Sequence, residues 1–276
     1  MKIRLIATDI DGTFLDDKKN IPEENLTALL ECAAGGIEIV PATGRTIQGI
    51  PEEIKQLPGV RYVIATNGAV VADLKENRII DTCRLPAELA VQVMNLARDC
   101  PDDIMYDAYI DGTGYTMEDF YAQTEKYVNS AELVALIRKT RCVVSDNIAF
   151  VKQQNKEVDK INMFFRNMEA KERMRRTLAL VPGILVSSSI PGNLEINAAG
   201  ADKGGALLRL AEYLDIRREE TMAFGDGEND LTMIKKAGFS VAMRNGEESV
   251  KAAADHITTT NNEAGVAAAI RQFVLK

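Results

Sequence analysis

Residues 1–13 read MKIRLIATDIDGT. The run from Lys2 to Thr8 is short and mostly apolar, which is typical of a strand buried inside a sheet. Asp9 and Asp11 follow directly and begin a polar, glycine-containing turn. Because ligands of open α/β sheets bind at the carboxyl ends of the strands, this stretch predicts a buried strand that carries two carboxylates into a ligand site.

The chain continues with alternating strand and helix patterns, which favour a parallel α/β sheet. Apolar residues recur at helical spacing from residue 26 to residue 33, and strands are predicted at residues 37–42 and 62–66. The pattern returns toward the C-terminus, with strands at 221–224 and 239–243 and helices at 230–237 and 264–274. Since neighbouring βα units tend to pack together, we expect both ends of the chain to share one Rossmann-like parallel sheet.

The middle of the chain has a different pattern. Strands are predicted at residues 104–110 and 160–165, with a long helix at 131–139 between them. This mixture predicts an α+β domain inserted into the α/β core domain. We place the insertion at residues 83–190, so that residues 1–82 and 191–276 form the core domain.

The composition excludes several classes of partner. Of the 276 residues, 46% are hydrophobic and 27% are charged, as in ordinary globular proteins. The formal charge of −8 disfavours nucleic acids and anionic membrane surfaces, because both are bound by basic faces. No apolar stretch approaches the length of a membrane-spanning helix, so we expect a cytoplasmic protein, monomeric or a small homo-oligomer.

The cysteines and the histidine suggest no metal, redox or catalytic site. Cys32, Cys83, Cys100 and Cys142 are widely scattered without a metal-binding or redox spacing, so we expect reduced thiols in the core. His256 is the only histidine, which leaves no Ser-His-Asp triad to build. We expect it at a polar surface or sheet-edge position.

The carboxylates suggest phosphoryl chemistry. Asp9 could attack phosphorus as a nucleophile, while Asp11 protonates the leaving oxygen and later deprotonates water. A second segment, GDGEND at residues 225–230, follows another predicted strand. Because an attacking carboxylate is repelled by a phosphate dianion, a cation is needed, and Asp226 and Asp230 would join Asp9 as oxygen ligands suited to Mg²⁺.

Groups that would bind a phosphate come from two further places. Thr43 and Gly44 follow a predicted strand and offer a hydroxyl and backbone amides. Lys203 opens a predicted helix, whose amino end also favours anions. Arg45, next in the first of these loops, could form a surface ion pair or bind a ligand and stays unassigned.

In their order, these segments resemble the haloacid dehalogenase superfamily, specifically the Cof-like phosphatases with a class IIB cap domain. Residues 9–13 resemble the first motif of that family, residues 43–45 the second, residues 203–204 the third and residues 225–230 the fourth. Residues 66–69 and 241–243 also resemble this branch. The similarity spans nearly the whole chain.

The resemblance implies a Mg²⁺-dependent phosphatase that forms an aspartyl-phosphate and acts on a small phosphorylated metabolite, with sugar phosphates as the expected class. Asp9 would be nucleophile and metal ligand, and Asp11 the acid/base with its backbone carbonyl on the metal. Thr43, Gly44 and Lys203 would hold the phosphoryl group. The remaining implied residues are Asp226 and Asp230 at the metal, Asn229 in support, and Asn67 and Asn245 facing the substrate.

Some of these residues have simpler explanations. Asn229 could cap a helix and Asn67 could merely form a turn. Asp202 precedes Lys203 where relatives often have serine, and residues 244–246 read RNG where relatives often have Gly-Asn-Ala. These departures concern substrate contacts and leave the four motifs intact.

The chain also contains a partial copy of the first motif. Residues 110–113 repeat the sequence IDGT, but Tyr109 stands where the nucleophile would be. An Asp-Gly hairpin turn explains this copy fully.

Two other functions are open. A phosphomutase acting on hexose phosphates would share a similar first motif and cap type. A regulatory protein that binds a phosphorylated metabolite would keep the fold while catalysis is incidental.

Overall fold

The structure, a computed structural model, describes residues 2–275. The chain divides into two compact units. The first unit comprises Met1–Thr82 and Ala201–Lys276, and the second comprises Cys83–Gly200.

The first unit begins with alternating strands and helices and then forms a hairpin. Its elements up to residue 82 are β1 (Leu5–Thr8), α1 (Glu23–Ala34), β2 (Glu38–Pro41), α2 (Glu52–Lys55), β3 (Tyr62–Ala65), β4 (Val70–Asp73) and β5 (Arg78–Thr82).

The second unit is a six-stranded sheet with five helices among the described residues. Its elements are α3 (Ala87–Arg98), β6 (Ile104–Ile110), β7 (Thr113–Met117), α4 (Glu118–Ala122), α5 (Ala131–Thr140), β8 (Arg141–Val144), α6 (Asn147–Gln154), β9 (Lys160–Phe165), α7 (Met168–Leu178), β10 (Ile184–Ser187) and β11 (Asn193–Ala198). The strand order is β10-β11-β9-β6-β7-β8. Neighbouring strands are antiparallel except β7 and β8, which are parallel.

The chain then returns to the first unit. The remaining elements are α8 (Lys203–Tyr213), β12 (Thr221–Gly225), α9 (Leu231–Lys236), β13 (Phe239–Ala242), α10 (Glu248–Ala253), β14 (His256–Ile257) and α11 (Gly265–Phe273). Five strands form a wholly parallel sheet in the order β14-β13-β12-β1-β2. Both ends of the chain therefore share one sheet, and the predicted α/β fold class is confirmed.

The parallel sheet is buried on both faces, as helix-covered parallel sheets are. Ile6 and Ile39 belong to a buried cluster with residues of α1 and α11, while Leu5 and Val40 belong to a second cluster with residues of α8. Because successive strand residues point to opposite faces, the alternation places helices on both sides of β1 and β2. The carboxyl ends of β1 and β12 remain available for the polar turns that follow them.

Two details of the predicted organisation are corrected. Residues 62–66 are predicted to lie in the parallel sheet, but β3 (Tyr62–Ala65) pairs antiparallel with β4 in a three-stranded sheet, β3-β4-β5. A parallel bridge between Ala42 and Ile64 joins β3 to the end of β2. The second domain boundary lies between residues 200 and 201 rather than 190 and 191. Residues 191–200 contain β11, which pairs with β9 and β10 and so lies within the sheet of the second unit.

Several smaller predictions have clear outcomes. Asp111 and Gly112 both have positive φ and join β6 to β7, so the copy of the first motif is an Asp-Gly hairpin turn. His256 lies in the edge strand β14, against the ring of Phe273. The four cysteines are free, but only Cys32 is buried in the core. Among the described residues, no helix combines the length and apolarity needed to cross a membrane.

Helix α8 is anchored by the residue that departs from the family pattern. The Asp202 side chain accepts a hydrogen bond from the Gly205 amide at 2.7 Å and pairs with Lys236 at 3.0 Å. Asp202 therefore provides the N-terminal cap that serine would provide, and it fixes the start of the helix that carries Lys203.

We predict that Asp202→Ala lowers the free energy of unfolding by about 1 kcal/mol, because a helix amide loses its capping acceptor. Asp202→Ser retains a capping oxygen and should lose less. Urea unfolding of the three proteins at neutral pH measures the difference. Equal losses in the two variants would show that the cap contributes nothing.

The difference in the free energy of unfolding between wild type and Asp202→Ala should depend on pH. Burial raises the pKa of Asp202, but the Gly205 amide and Lys236 outweigh it, so the pKa lies below its ordinary value. A pKa lowered by folding contributes stability that is present above about pH 4 and lost as the pH falls through the folded-state pKa. The gap between wild type and Asp202→Ala should therefore narrow in acid, and a constant gap would contradict this assignment.

Candidate active site

A buried lysine lies at the centre of the site. Lys203, the first residue of α8, is fully buried. Its Nζ donates to Asp9 Oδ1 at 2.6 Å and to Asp230 Oδ1 at 2.5 Å. The first, third and fourth motifs thus meet through one ammonium group.

The close packing of α8 fixes the position of that ammonium group. A Cβ atom at Gly204 would lie only 2.2 Å from the backbone carbonyl oxygen of Thr232 in α9. A glycine at this position lets the two helices approach closely. The backbone of Lys203 is therefore fixed at a position from which its side chain reaches both carboxylates.

Both carboxylate oxygens of Asp230 accept hydrogen bonds from protein donors. One of its oxygens accepts from Lys203, and the other accepts from the backbone amides of Asp226 and Gly227 at 2.9 Å and 3.0 Å. Asp230 therefore ties the turn that carries Asp226 to the buried lysine. Both of its oxygens have protein donors before any metal binds.

Asp226 is oriented by a residue of the first motif. Thr13 donates its hydroxyl to Asp226 Oδ1 at 2.6 Å. The other oxygen, Oδ2, lies close to Gly12, where an added Cβ atom would approach to 2.5 Å. Gly12 has a φ of 82°, so the turn after Asp11 needs glycine for both backbone conformation and space.

The charges at this site are not balanced. Burial raises the pKa of Asp9 well above its ordinary value, with Asp230 and Asp226 adding to the effect and Lys203 opposing it. Burial and Asp230 raise the pKa of Asp226 to about 7. The two carboxylates raise the pKa of Lys203 although burial opposes its charge. One ammonium thus faces three carboxylates.

These residues fit a magnesium ion. Ligand oxygens of Asp9, Asp226 and Asp230 all lie within 4.8 Å of one another. Hard carboxylate oxygens are the donors that Mg²⁺ prefers, and a dication would offset the excess negative charge. Since both oxygens of Asp230 already accept hydrogen bonds, Asp9 and Asp226 are the better placed ligands.

Asp11 lies in a separate ion pair. Arg45 donates from Nε to Asp11 Oδ2 and from Nη2 to Asp11 Oδ1, both at 2.7 Å, and Lys19 Nζ donates to Oδ1 at 2.9 Å. Burial raises the pKa of Asp11, but Arg45 and Lys19 together lower it to about 2. The side chain is therefore ionised, and both of its oxygens are bound by cationic side chains.

The second motif forms a loop beside these groups. Thr43 is buried, and its hydroxyl accepts from the Arg45 amide at 3.1 Å. The amides of Thr66 and Asn67 donate to the carbonyls of Arg45 and Thr43, so the end of β3 supports the loop that contains Gly44.

Residues 66–68 form a strained turn. Thr66, Asn67 and Gly68 all have positive φ, which is uncommon for threonine. The Asn67 side chain accepts from Asn229 Nδ2 at 3.1 Å, which links this turn to the fourth motif. Strain of this kind is found where a site requires a particular backbone geometry.

The Asn245 side chain contacts the loop that follows Asp9, which we call the nucleophile loop (residues 9–13). Its Nδ2 donates to the Gly12 carbonyl at 2.8 Å, and its Oδ1 accepts from the Asn261 amide at 2.9 Å. Both polar ends of the side chain thus bind backbone groups. The substrate contact of Asn245 stays a prediction.

The structure brings into the site three residues for which the motifs predict no role. Thr13 orients Asp226, while Lys19 and Arg45 pair with Asp11. Thr13 and Arg45 close the first two motifs, and that position is a signal that could have indicated them. Lys19 lies outside every motif.

Comparisons with known proteins agree with this arrangement. A family model described as haloacid dehalogenase-like hydrolase matches residues 6–270. One relative is a 5-amino-6-(5-phospho-D-ribitylamino)uracil phosphatase of Bacillus subtilis (strain 168), 33% identical over a 277-residue alignment that covers 99% of this chain and 96% of the relative.

Solved structures show the same similarity. A haloacid dehalogenase-like hydrolase from B. subtilis superposes with a TM-score of 0.85 at 28% identity, covering 99% of this chain and 100% of that one. A sugar phosphatase of subclass IIB in the same superfamily has a TM-score of 0.80 at 25% identity, with coverage of 99% and 100%. The predicted family is confirmed: the chain belongs to the haloacid dehalogenase-like hydrolases.

Proposed function

We propose that this protein is a Mg²⁺-dependent phosphatase that hydrolyses a small phosphorylated metabolite through an aspartyl-phosphate on Asp9. The observation that carries the proposal is the convergence of Asp9, Asp226 and Asp230 around the buried Lys203. Membership of the hydrolase family and the phosphatase named among its relatives support the enzyme class.

The chemistry follows from the positions of the side chains. A carboxylate oxygen of Asp9 attacks phosphorus, and the bond from phosphorus to the leaving oxygen breaks. Lys203 holds the Asp9 carboxylate in one orientation, so the attacking oxygen is positioned before substrate arrives. Water then attacks the aspartyl-phosphate and releases inorganic phosphate.

Asp11 is the acid/base in this scheme. It gives a proton to the leaving oxygen and later takes one from water. Because both of its oxygens are bound by Arg45, Asp11 has to exchange these partners before it can protonate a leaving group. Arg45 then becomes available to the negatively charged phosphoryl group.

Mg²⁺ held by Asp9 and Asp226 would supply positive charge to the phosphoryl oxygens. Thr43, Gly44 and Lys203 would contact the same oxygens from the protein side. Asp230 would act by holding Lys203 and the Asp226 turn.

The substrate class is a finer proposal. The relatives include a phosphatase named for a phosphoribitylamino-uracil and a sugar phosphatase. Both names describe a phosphate ester of a hydroxyl-bearing carbon chain. We propose a substrate of this kind, with the inserted unit selecting the leaving group.

A phosphate-release screen with Mg²⁺ tests the proposed function. The panel should contain sugar phosphates, phosphoribitylamino-uracil, nucleotides, flavin mononucleotide and pyridoxal phosphate. Release from one or more hydroxyl-bearing esters is the expected result. Isomerisation of a hexose phosphate without phosphate release would favour a mutase, and binding without turnover would favour a regulatory protein.

We predict that Asp9→Asn abolishes phosphate release while the fold is retained, because an amide cannot form the aspartyl-phosphate. Asp111→Asn is the control for an aspartate-to-asparagine change outside the site, since Asp111 lies in the hairpin turn whose copy of the motif has Tyr109 in place of the nucleophile. Its exposed ion pair with Lys156 contributes little, so its turnover should resemble wild type. Activity of Asp9→Asn at the wild-type rate would exclude the mechanism.

We predict different consequences for the two other aspartates. Asp226→Asn should raise the Mg²⁺ concentration for half-maximal activity by at least about tenfold, because a ligand oxygen is lost. Asp230→Ala should instead lower the free energy of unfolding by about 3–5 kcal/mol, since a buried ion pair is broken. Metal titration and urea unfolding distinguish the two roles. An unchanged metal titration in Asp226→Asn would remove it from the ligand set.

Asn245 provides a test of positioning against substrate contact. We predict that Asn245→Ala lowers kcat by about tenfold or more while KM changes little, because the nucleophile loop loses its support. The free energy of unfolding should fall by about 0.5–1.5 kcal/mol, since the Asn261 amide and the Gly12 carbonyl lose a partner. A rise in KM with unchanged stability would instead support the predicted substrate contact.

The cytoplasmic location, the monomeric or small homo-oligomeric state and the exclusion of nucleic acid and membrane partners stay predictions. They rest on the charge and the apolar pattern of the sequence.

A further inference from the structure

Residues 66–68, which we call the linking turn, lie between β3 and β4 and outside the four motifs. Thr66, Asn67 and Gly68 are buried, and their φ angles are 53°, 58° and 95°. A left-handed backbone is unfavourable for residues with a Cβ atom, and most of all for a β-branched residue such as threonine. Three consecutive residues in this region therefore indicate that the surrounding structure imposes the conformation.

The backbone of the linking turn holds the second motif. The Thr66 amide donates to the Arg45 carbonyl at 2.8 Å, and the Asn67 amide donates to the Thr43 carbonyl at 2.9 Å. Both carbonyls belong to the loop whose hydroxyl and amides we assign to the phosphoryl group. The position of that loop therefore depends on the linking turn.

The α-carbon of Gly68 packs against the start of α8, the helix that carries the third motif. An added Cβ atom would lie 2.4 Å from the Asp202 carbonyl oxygen and 3.1 Å from the Ala206 Cβ atom. Further along α8, Arg209 donates from Nη2 to the Gly68 carbonyl at 3.4 Å. Because the Asp202 oxygen is a backbone atom, a side chain at position 68 would displace either the linking turn or the residue that precedes Lys203.

The Asn67 side chain reaches the fourth motif, where its Oδ1 accepts from Asn229 Nδ2 at 3.1 Å. Asn229 directly precedes Asp230, whose carboxylate binds the Lys203 ammonium and the Asp226 amide. The linking turn thus contacts the second motif, the fourth motif and the N-terminal cap of the helix that carries the third. All of these contacts lie within the first unit.

We propose that the linking turn is a positioning element of the phosphoryl site, which fixes the distance between the Thr43 loop and the Lys203 ammonium. This assignment rests on the proposed function, because these are the groups assigned to the phosphoryl oxygens. It differs from the substrate contact that the family resemblance implies for Asn67. A positioning element affects every phosphate ester by the same factor, whereas a contact with the organic part affects some esters more than others.

Gly68→Ala in the full-length protein tests the proposal, with Gly36→Ala as the matched control. Gly36 is exposed between α1 and β2 and also has a left-handed φ, of 80°, but an added Cβ atom there meets nothing within 4 Å. The two substitutions therefore share the unfavourable backbone conformation. Only Gly68→Ala adds a steric overlap with the start of α8.

The first measurement is kcat/KM for p-nitrophenyl phosphate and for the best hydroxyl-bearing ester of the phosphate-release screen. The second is the calorimetric dissociation constant of inorganic phosphate with Mg²⁺, at a temperature where circular dichroism shows folded protein. Gly68→Ala should lower both kcat/KM values by one common factor of at least about tenfold and weaken phosphate binding. Gly36→Ala should match wild type in every value, because a loss of stability alone does not change the folded molecules.

If Gly68→Ala does not fold, Asn67→Gly keeps the left-handed backbone, removes the link to Asn229 and should also lower both kcat/KM values by one common factor. No fall in the folded variant, a fall confined to one ester, or an equal fall in Gly36→Ala would overturn the inference and leave the phosphatase proposal standing. Wild type that binds phosphate but hydrolyses no ester would overturn only the proposed function, and phosphate binding by the variants would then decide the role of the linking turn. Wild type that does neither would overturn both.

Discussion

The site depends on one buried ammonium group. Lys203 Nζ joins Asp9, 194 residues away in the sequence, to Asp230 on the neighbouring strand-end turn. Removing a lysine and two carboxylates from water is expensive, and the cost is offset only when the geometry is good and the remaining lone pairs are satisfied. The short distances and the second hydrogen-bonded oxygen of Asp230 meet that condition. The close contact of α8 with α9 and the cap at Asp202 hold the lysine where this geometry is possible.

Asp230 shows why a list of acidic residues is not a list of metal ligands. Its sequence position in the GDGEND segment suggests a ligand, and its oxygens lie near those of Asp9 and Asp226. In the structure its donors are a lysine and two backbone amides. A carboxylate used in this way gives the turn its shape, so that Asp226 presents an oxygen without rearrangement. Such preorganisation reduces the cost of assembling the site at each turnover.

The sequence was sufficient to predict the parallel sheet and the strand ends that carry Asp9 and Asp226, because these depend on local apolar runs and turn residues. It was insufficient where pairing is non-local. Residues 193–198 look like any short strand, and only their pairing with β9 assigns them to the second unit. The direction of side chains was equally hidden: nothing local indicates that Arg45 pairs with Asp11 or that Asn245 reaches the Gly12 carbonyl.

The two units differ in how many of their buried polar groups have hydrogen-bond partners, and this difference affects stability. In the first unit, the buried carboxylates of Asp230 and Asp202 accept hydrogen bonds from protein donors. In the second unit, Asp107 and Asn162 each keep one buried acceptor without a protein donor. A buried acceptor without a donor costs about 1–3 kcal/mol, so these atoms lower the stability of the second unit, whereas the bound carboxylates stabilise the first.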